Sequence, residues 1–420
     1  KPSILHGKAM WATAVLGPDN CIYAPPCNAG RVLRVDCSTG VARLIGPDLG
    51  EGTWKWAAAV LGPDGCIYAP PCNAGHVLRV DCATESVELL HPDFGAGGHK
   101  YHCAALGPDG CVYAVPNDAD RVLRLDCVRR DVRLIGPELG GRGKWCAAVL
   151  GPDGRVYAPP NNARQVLRVD CTARKVELIG PDLALAGEAG GSGAWVSAVA
   201  AADGCVYAPP FNAARALRVD CARGAVELMG PDFAPMGHKW HTMALGGNGH
   251  FYSGPCNAGC ALYLDPALVT AGPAGRPFPR FPRSQEKWRC AVAGADGRVY
   301  CVPWNAERVL RLDCRAGAGG RAEAELLGED LPEAEQRWRC AVRCGGRVYA
   351  VPYDAGQLLR VDCERGRVEL LGEAPPAPKK LDPLAGLEDE EEEEEEESEE
   401  EDDPTSRRVA ARPQPLGPRA

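Results

Sequence analysis

No apolar run in the 420-residue chain approaches the ~20 residues that a membrane-crossing helix needs, which excludes a protein that spans a bilayer by helices. No segment carries the 3.6-residue apolar period over a helical length. Aromatic residues are scarce, at 6% of the chain. There is no Cys-x-x-Cys pair for a zinc ribbon, no serine nucleophile elbow, no phosphate-cradling glycine loop and no His-Glu-x-x-His motif. The 21 cysteines fall short of the density of small disulfide scaffolds. Apolar material is not lacking: 45% hydrophobic residues suffice for a large core and exclude wholesale disorder.

An excess of positive charge is also missing. The net charge is −9, and residues 388–403 hold 15 acidic side chains in 16 positions. Residues 379–420 carry 6 basic and 16 acidic side chains, so the first 378 residues keep 41 basic and 40 acidic, a net of +1. The acidity belongs to the tail. No basic footprint for nucleic acid exists, and none is expected as a partner. Charges that repel and bury nothing predict disorder for 388–403 and for the Arg/Pro-rich end, 404–420, after a Pro-rich linker at 373–387. A basic protein is a candidate partner for the acidic segment, and solubility is the simpler role.

What the chain has in abundance is repetition. A tyrosine after an Asp-Gly-type turn recurs at Tyr23, Tyr68, Tyr113, Tyr157, Tyr207, Tyr252, Tyr300 and Tyr349, spaced by 44 to 50 residues. An aromatic opens each unit at Trp11, Trp56, Tyr101, Trp145, Trp195, Trp240, Trp288 and Trp338, and an Asp marks each from Asp36 to Asp362. Within a unit, Trp-x-x-Ala-Val reads as strand one and Cys-Ile-Tyr-Ala as strand two. Val-Leu-Arg-Val-Asp and Val-Glu-Leu-Leu read as strands three and four. Gly-Pro-Asp-Gly turns the first hairpin, and Pro-Pro, which cannot donate to a ladder, stops the second strand.

Four strands at this period predict an all-β fold: one β-propeller over residues 1–372 with eight four-stranded blades. Small residues such as Ala57, Ala58 and Ala59 suit a strand beside the central channel. Units one and eight are both complete, so the ring is expected to close by packing rather than by an exchanged strand. Unit six looks irregular, with a proline-rich insertion loop over 270–286 in place of a clear fourth strand.

The Lys-Trp…Gly-Pro-Asp-Gly-x-Ile/Val-Tyr pattern, as in residues 55–68, resembles propeller repeat proteins of algae and protists, and more distantly NHL-type and gluconolactonase-like propellers. The resemblance spans about residues 8–372 and implies the fold without a particular activity.

Features present in every unit point to architecture, and departures from the repeat point to function. The Asn/Asp after the prolines (Asn28, Asn73, Asp118, Asn162, Asn212, Asn257, Asn305, Asp354) reads either as a polar ring or as a side chain bonding its own turn. The cation before the aromatic (Lys55, Lys100, Lys144, Lys239, Lys287, Arg337) could ring the channel or pair with acids of the preceding loops, such as Asp48, Asp93 and Glu138. His99-x-x-His102 and His238-x-x-His241 lead into strands, where an odd offset sends side chains to opposite faces. On that ground no metal and no cofactor are expected. If Cys21 faces Cys37, and likewise 66 and 82, 111 and 127, 205 and 221, four cross-strand disulfides are allowed. Reduced thiols are favoured by the odd total and the lack of a visible secretory leader.

The departures cluster. Phe211, Trp304 and Tyr353 replace Cys or Asn after the prolines, and His102, His241, Arg289 and Arg339 replace small residues after the opening aromatic. Phe211, His241, Arg289, Trp304, Arg339 and Tyr353 are therefore the candidate ligand-binding set, on one loop face. The ligand expected there is a protein or a small anionic, partly aromatic molecule. The sequence reads as a monomeric, non-catalytic binding or scaffold propeller, with an intracellular location favoured. Two alternatives stand beside it. One is a hydrolase or lyase using His241 or His102 at the channel mouth, and the other is a carbohydrate-binding surface protein.

Overall fold

A computed structural model describes residues 5, 7–184, 193–233, 237–275, 277, 286–315, 322–332 and 334–372. Its 32 strands form eight four-stranded antiparallel sheets, each with strand order following the sequence, arranged as an eight-bladed propeller. There is no helix among the described residues. The chain divides into Lys1–Pro375, which holds every blade, and Pro376–Ala420. The tail expectations for 373–420 lie outside the described residues.

Proline or valine at one position goes with how far the inner hairpin runs in seven of the eight blades. In blades three, seven and eight the first strand is long: Tyr101–Leu106, Trp288–Ala293 and Trp338–Cys344. In the other five it shrinks to two residues, as in Val15–Leu16, so the strand read from Trp-x-x-Ala-Val is mostly irregular there. The long blades carry Val115, Val302 and Val351 where blades one, two, four and five carry the first proline. Valine has the N–H that proline lacks, and it pairs with Cys103, Cys290 and Cys340 respectively. In blade six this residue is Gly254, where an added Cβ would sit 2.7 Å from the Cys301 sulfur of the next blade.

The repeated aromatics are structural fasteners. Each opening Trp ring is buried, and its indole N–H donates to a carbonyl of the same blade, such as Trp11 to Arg31 at 3.2 Å and Trp338 to Gln357 at 2.9 Å. The marker tyrosines reach across blades. Tyr68 donates to the Cys127 carbonyl at 3.0 Å, Tyr300 to Cys363 at 2.9 Å, and Tyr349 to Cys37 at 2.8 Å. Tyr349 and Cys37 belong to blades eight and one, whose apolar side chains share one cluster with Trp11, Ile22, Val351 and Leu358. Blades one and eight each keep their own four strands, so the ring closes by packing. Burying such apolar side chains contributes roughly 1.5–3 kcal/mol each.

Two local expectations need correction. Blade six has its fourth strand, Thr270–Ala274, inside the segment read as an insertion. Pro273 hides it in the sequence, yet the outermost strand has a free edge that tolerates a residue without an N–H. The cysteine register is also shifted by one. Cys21 pairs with Asp36, Cys66 with Asp81, Cys111 with Asp126 and Cys205 with Asp220. Cys37 and its equivalents therefore point to the opposite face from Cys21, because side chains alternate along a strand. The four cross-strand disulfides are ruled out, and all 21 cysteines are free thiols.

Candidate functional site

In an antiparallel blade the loop after strand two and the segment entering strand one open on the same face. Two hydrogen bonds tie each blade to the next there. The residue after the prolines accepts an N–H from the cation position of the following blade, as in Lys55 to Cys27 at 2.9 Å, and Met10 to Tyr353 does the same across the closing seam at 2.9 Å. The repeated Asn or Asp accepts the N–H one residue earlier, as in Trp54 to Asn28 at 2.9 Å and His99 to Asn73 at 2.9 Å. The repeated Asn and Asp side chains thus bond across the blade junction rather than cap their own turns. They are inter-blade staples.

The repeated cations are inward fasteners too. Lys55, Lys100 and Lys144 turn their ammonium groups onto loop carbonyls, with Lys55 to Gly50 at 3.0 Å, Lys100 to Gly97 at 2.6 Å and Lys144 to Gly141 at 2.7 Å. Arg337 donates to Pro332 at 2.8 Å. Burial holds all four below their ordinary pKa. The expected pairing with the loop acids fails for these four. Glu138 pairs with Arg121 at 3.1 Å and Asp330 with Arg308 at 2.6 Å. A folded loop offers carbonyls at no desolvation cost for a carboxylate, and the acids remain outside in water.

These ties place three repeat positions together at each junction: the residue after the prolines of one blade, and those two before and one after the aromatic of the next. The departures from the repeat fill them. At the blade five–six junction, Phe211 stacks on His238 at 4.5 Å and meets His241 edge-on at 5.4 Å. At the next junction, Arg289 pairs with Glu286 at 2.6 Å, and Glu286 also contacts His238 Nδ1 at 2.5 Å. The Arg289 guanidinium lies 4.4 Å from the Trp304 ring centre. Trp304 sits 5.1 Å from Tyr353. Arg339 lies 4.6 Å from the Trp54 ring and 6.0 Å from that of Tyr353. Trp54 in turn stacks on His102 at 5.9 Å.

All six predicted residues therefore join one cation–aromatic arc around the channel mouth. They do not project from an exposed rim. Phe211 is 7% exposed, Trp304 2% and Tyr353 5%. Trp304 and Tyr353 pack with Ala9, Ala12 and Cys27 in a cluster that crosses the closing seam. The indole N–H of Trp304, Nδ1 of His241, Nε2 of His102 and Nε of Arg289 are buried without hydrogen-bond partners. Burial, then Arg289 and Arg339, hold His241 well below the usual histidine pKa, so it is neutral at pH 7 rather than poised to switch. Burial tends to raise Glu286, but its bonds to Arg289 and His238 bring it below the ordinary carboxylate value.

Sequence reasoning missed Glu286 and His238 as members of this arc, together with Cys72 and His99. The signal was available in the repeat itself. The residue after the prolines meets a partner about half a repeat later, 27 residues on for Cys72 and His99. The premise that His99 and His102 face apart also fails. His99 lies before the strand that starts at Tyr101 and has φ +42°, which turns the chain and brings the two rings to 5.6 Å.

No family model and no curated protein sequence matches the chain. The fold is similar to that of a streptogramin B lyase, 14% identical with a TM-score of 0.54, covering 72% of this chain and 93% of that one. It is also similar to a virginiamycin B lyase from Staphylococcus aureus, 11% identical with a TM-score of 0.53, covering 71% and 92%. Dihydro-heme d1 dehydrogenase NirN is 12% identical with a TM-score of 0.58, covering 87% and 75%. At such identities the likeness is one of fold: this chain is an all-β propeller among structurally similar propellers of differing activity.

Proposed function

We propose that the protein is a non-catalytic binding propeller whose channel-mouth face takes an anionic, partly apolar ligand. The observation that carries this reading is Arg339. Its half-buried guanidinium lies against the rings of Trp54 and Tyr353, and no carboxylate among the described residues pairs with it. A desolvated cation without a counter-ion is costly, and an anion entering the mouth relieves that cost. The partly exposed Trp54 ring beside it supplies apolar contact.

A thermal-shift comparison of anionic aromatic, neutral aromatic and aliphatic anionic compounds tests the reading. Stabilisation by the first class that is lost in Arg339→Ala supports it. Equal response of wild type and Arg339→Ala to every class overturns it.

A further inference from the structure

The same three positions meet at all eight junctions, so each junction is a control for the others. At the blade two–three junction they are Cys72, His99 and His102. This is the one group of three metal-binding side chains among the described residues whose donor atoms all lie within 4.8 Å of one another. The Cys72 sulfur is 3.8 Å from Nδ1 of His99. Two ligands on a tetrahedral zinc ion, with Zn–S of about 2.3 Å and Zn–N of about 2.0 Å, stand roughly 3.6 Å apart. The other junctions break the set. Phe211 stands in place of Cys72 beside His238 and His241, and Asn117 stands there beside Gly143 and Cys146.

We propose that Cys72, His99 and His102 form a site for one zinc-class divalent cation. Two independent features point to a ligand there. Cys72 is fully buried, and Nε2 of His102 is enclosed with no hydrogen-bond partner. An orphaned imidazole nitrogen beside a buried thiol costs stability unless something occupies the space. The surroundings fix the ligands. The Asn73 carboxamide oxygen holds the His99 backbone N–H at 2.9 Å, and Trp54 stacks flat on His102. One sulfur and two imidazole nitrogens suit Zn2+ rather than Mg2+ or Ca2+, which prefer oxygen. Coordination replaces the thiol S–H bond by S–metal and releases that proton to water. Three protein ligands leave the fourth tetrahedral position to water or an exogenous donor.

The test uses the full chain, kept reduced and stripped with a chelator, with Co2+ as an optical substitute for Zn2+. One equivalent of Co2+ is expected to produce visible d–d bands and a near-ultraviolet thiolate-to-cobalt band, both removed by added Zn2+. Cys72→Ser should lose the thiolate band, and His99→Ala with His102→Ala should lose both. His238→Ala with His241→Ala should keep both. Absence of the bands in the wild type, or a thiolate band surviving in Cys72→Ser, overturns the proposal. Circular dichroism checks each variant for folding. If Cys72→Ser does not fold, the His99/His102 pair decides, and retained bands there overturn the site. None of these readouts depends on the anionic ligand, so either reading can fail alone.

Discussion

Asp354 accepts the backbone N–H of Ala9 at 2.6 Å, joining residues 345 positions apart. The same bond recurs around the ring, and the donor residue is left-handed each time: φ is +52° at Ala9, +55° at Trp54, +42° at His99 and +55° at His238. A residue with positive φ turns its N–H out of line with the strand that follows, and the carboxamide or carboxylate of the preceding blade receives it. The ring of Asn and Asp is therefore one fastener repeated until it closes on itself.

At that seam Asp354→Ala should cost about 1–3 kcal/mol in a urea unfolding experiment, because a buried N–H loses its acceptor. Asp354→Asn keeps the acceptor. Burial raises the Asp354 pKa, with Ala9 and Lys8 opposing. A carboxyl raised on folding favours the folded state below its unfolded pKa and loses that contribution as pH rises through the folded value. At pH 7 the Asn variant should match or exceed the wild type. A loss as large as that of Ala would contradict this account.

Tyr300→Phe removes the one hydroxyl proton shared between the Cys363 carbonyl at 2.9 Å and the Asp296 carboxylate at 2.9 Å. The expected loss is about 1–3 kcal/mol, since the carbonyl stays buried. Tyr68→Phe, in a distant blade, should add to it within about 0.5 kcal/mol if blade junctions act independently. Equilibrium unfolding of the two single variants and the double variant measures both quantities.

His241 folds in its neutral form, with a pKa well below the ordinary value. A depressed base contributes fully above its unfolded pKa, and that contribution falls as pH drops below it, when the unfolded chain takes the proton. Stability should therefore fall from about pH 6.5 downward, and the fall should be shallower in His241→Asn. Unfolding midpoints across that range decide it. Parallel pH curves for the two proteins would show that His241 is not responsible.

Ligand affinity should reside where the repeat breaks. Once an anionic ligand is found, Arg289→Ala with Trp304→Ala should abolish its binding, since the cation and its ring partner go together. Asn73→Ala with Asn162→Ala should lower stability and leave affinity in the folded protein unchanged, because these side chains bond backbone N–H groups. Calorimetry on both pairs measures it, and the opposite ranking would place the ligand elsewhere.

The acidic segment gives a separate expectation. If it recruits basic proteins, removing residues 388–420 should reduce their recovery in pull-downs at low salt, and high salt should remove the difference. Equal recovery from both chains at low salt leaves solubility as its role.

Blade number, strand order and the closing mode were legible in the sequence because eight copies of one pattern each specify the same four strands. The outliers Arg289, Trp304 and Arg339 were legible because they violate that pattern. Register was not: Cys21 and Cys37 look like partners until the hairpin shifts by one residue and turns them to opposite faces. The fourth strand of blade six was masked by Pro273, whose place on an outer edge the local sequence does not reveal.

The sequence by itself determined the repeated unit, because turn chemistry, alternation and proline placement act over a few residues. Even the length of the inner hairpin follows from Pro or Val at one position in seven of the eight blades, Gly254 of blade six being the exception. Only the tertiary structure decided what the repeated polar residues do. Asn28 meets Trp54, Lys55 meets the Gly50 carbonyl, and Cys72 meets His99 through ring geometry. The Asn28–Trp54 and Cys72–His99 encounters depend on how one blade is rotated against the next, the Lys55–Gly50 bond on how the loop between them folds back, and a left-handed residue at the strand entrance sends His99 and His102 to the same side.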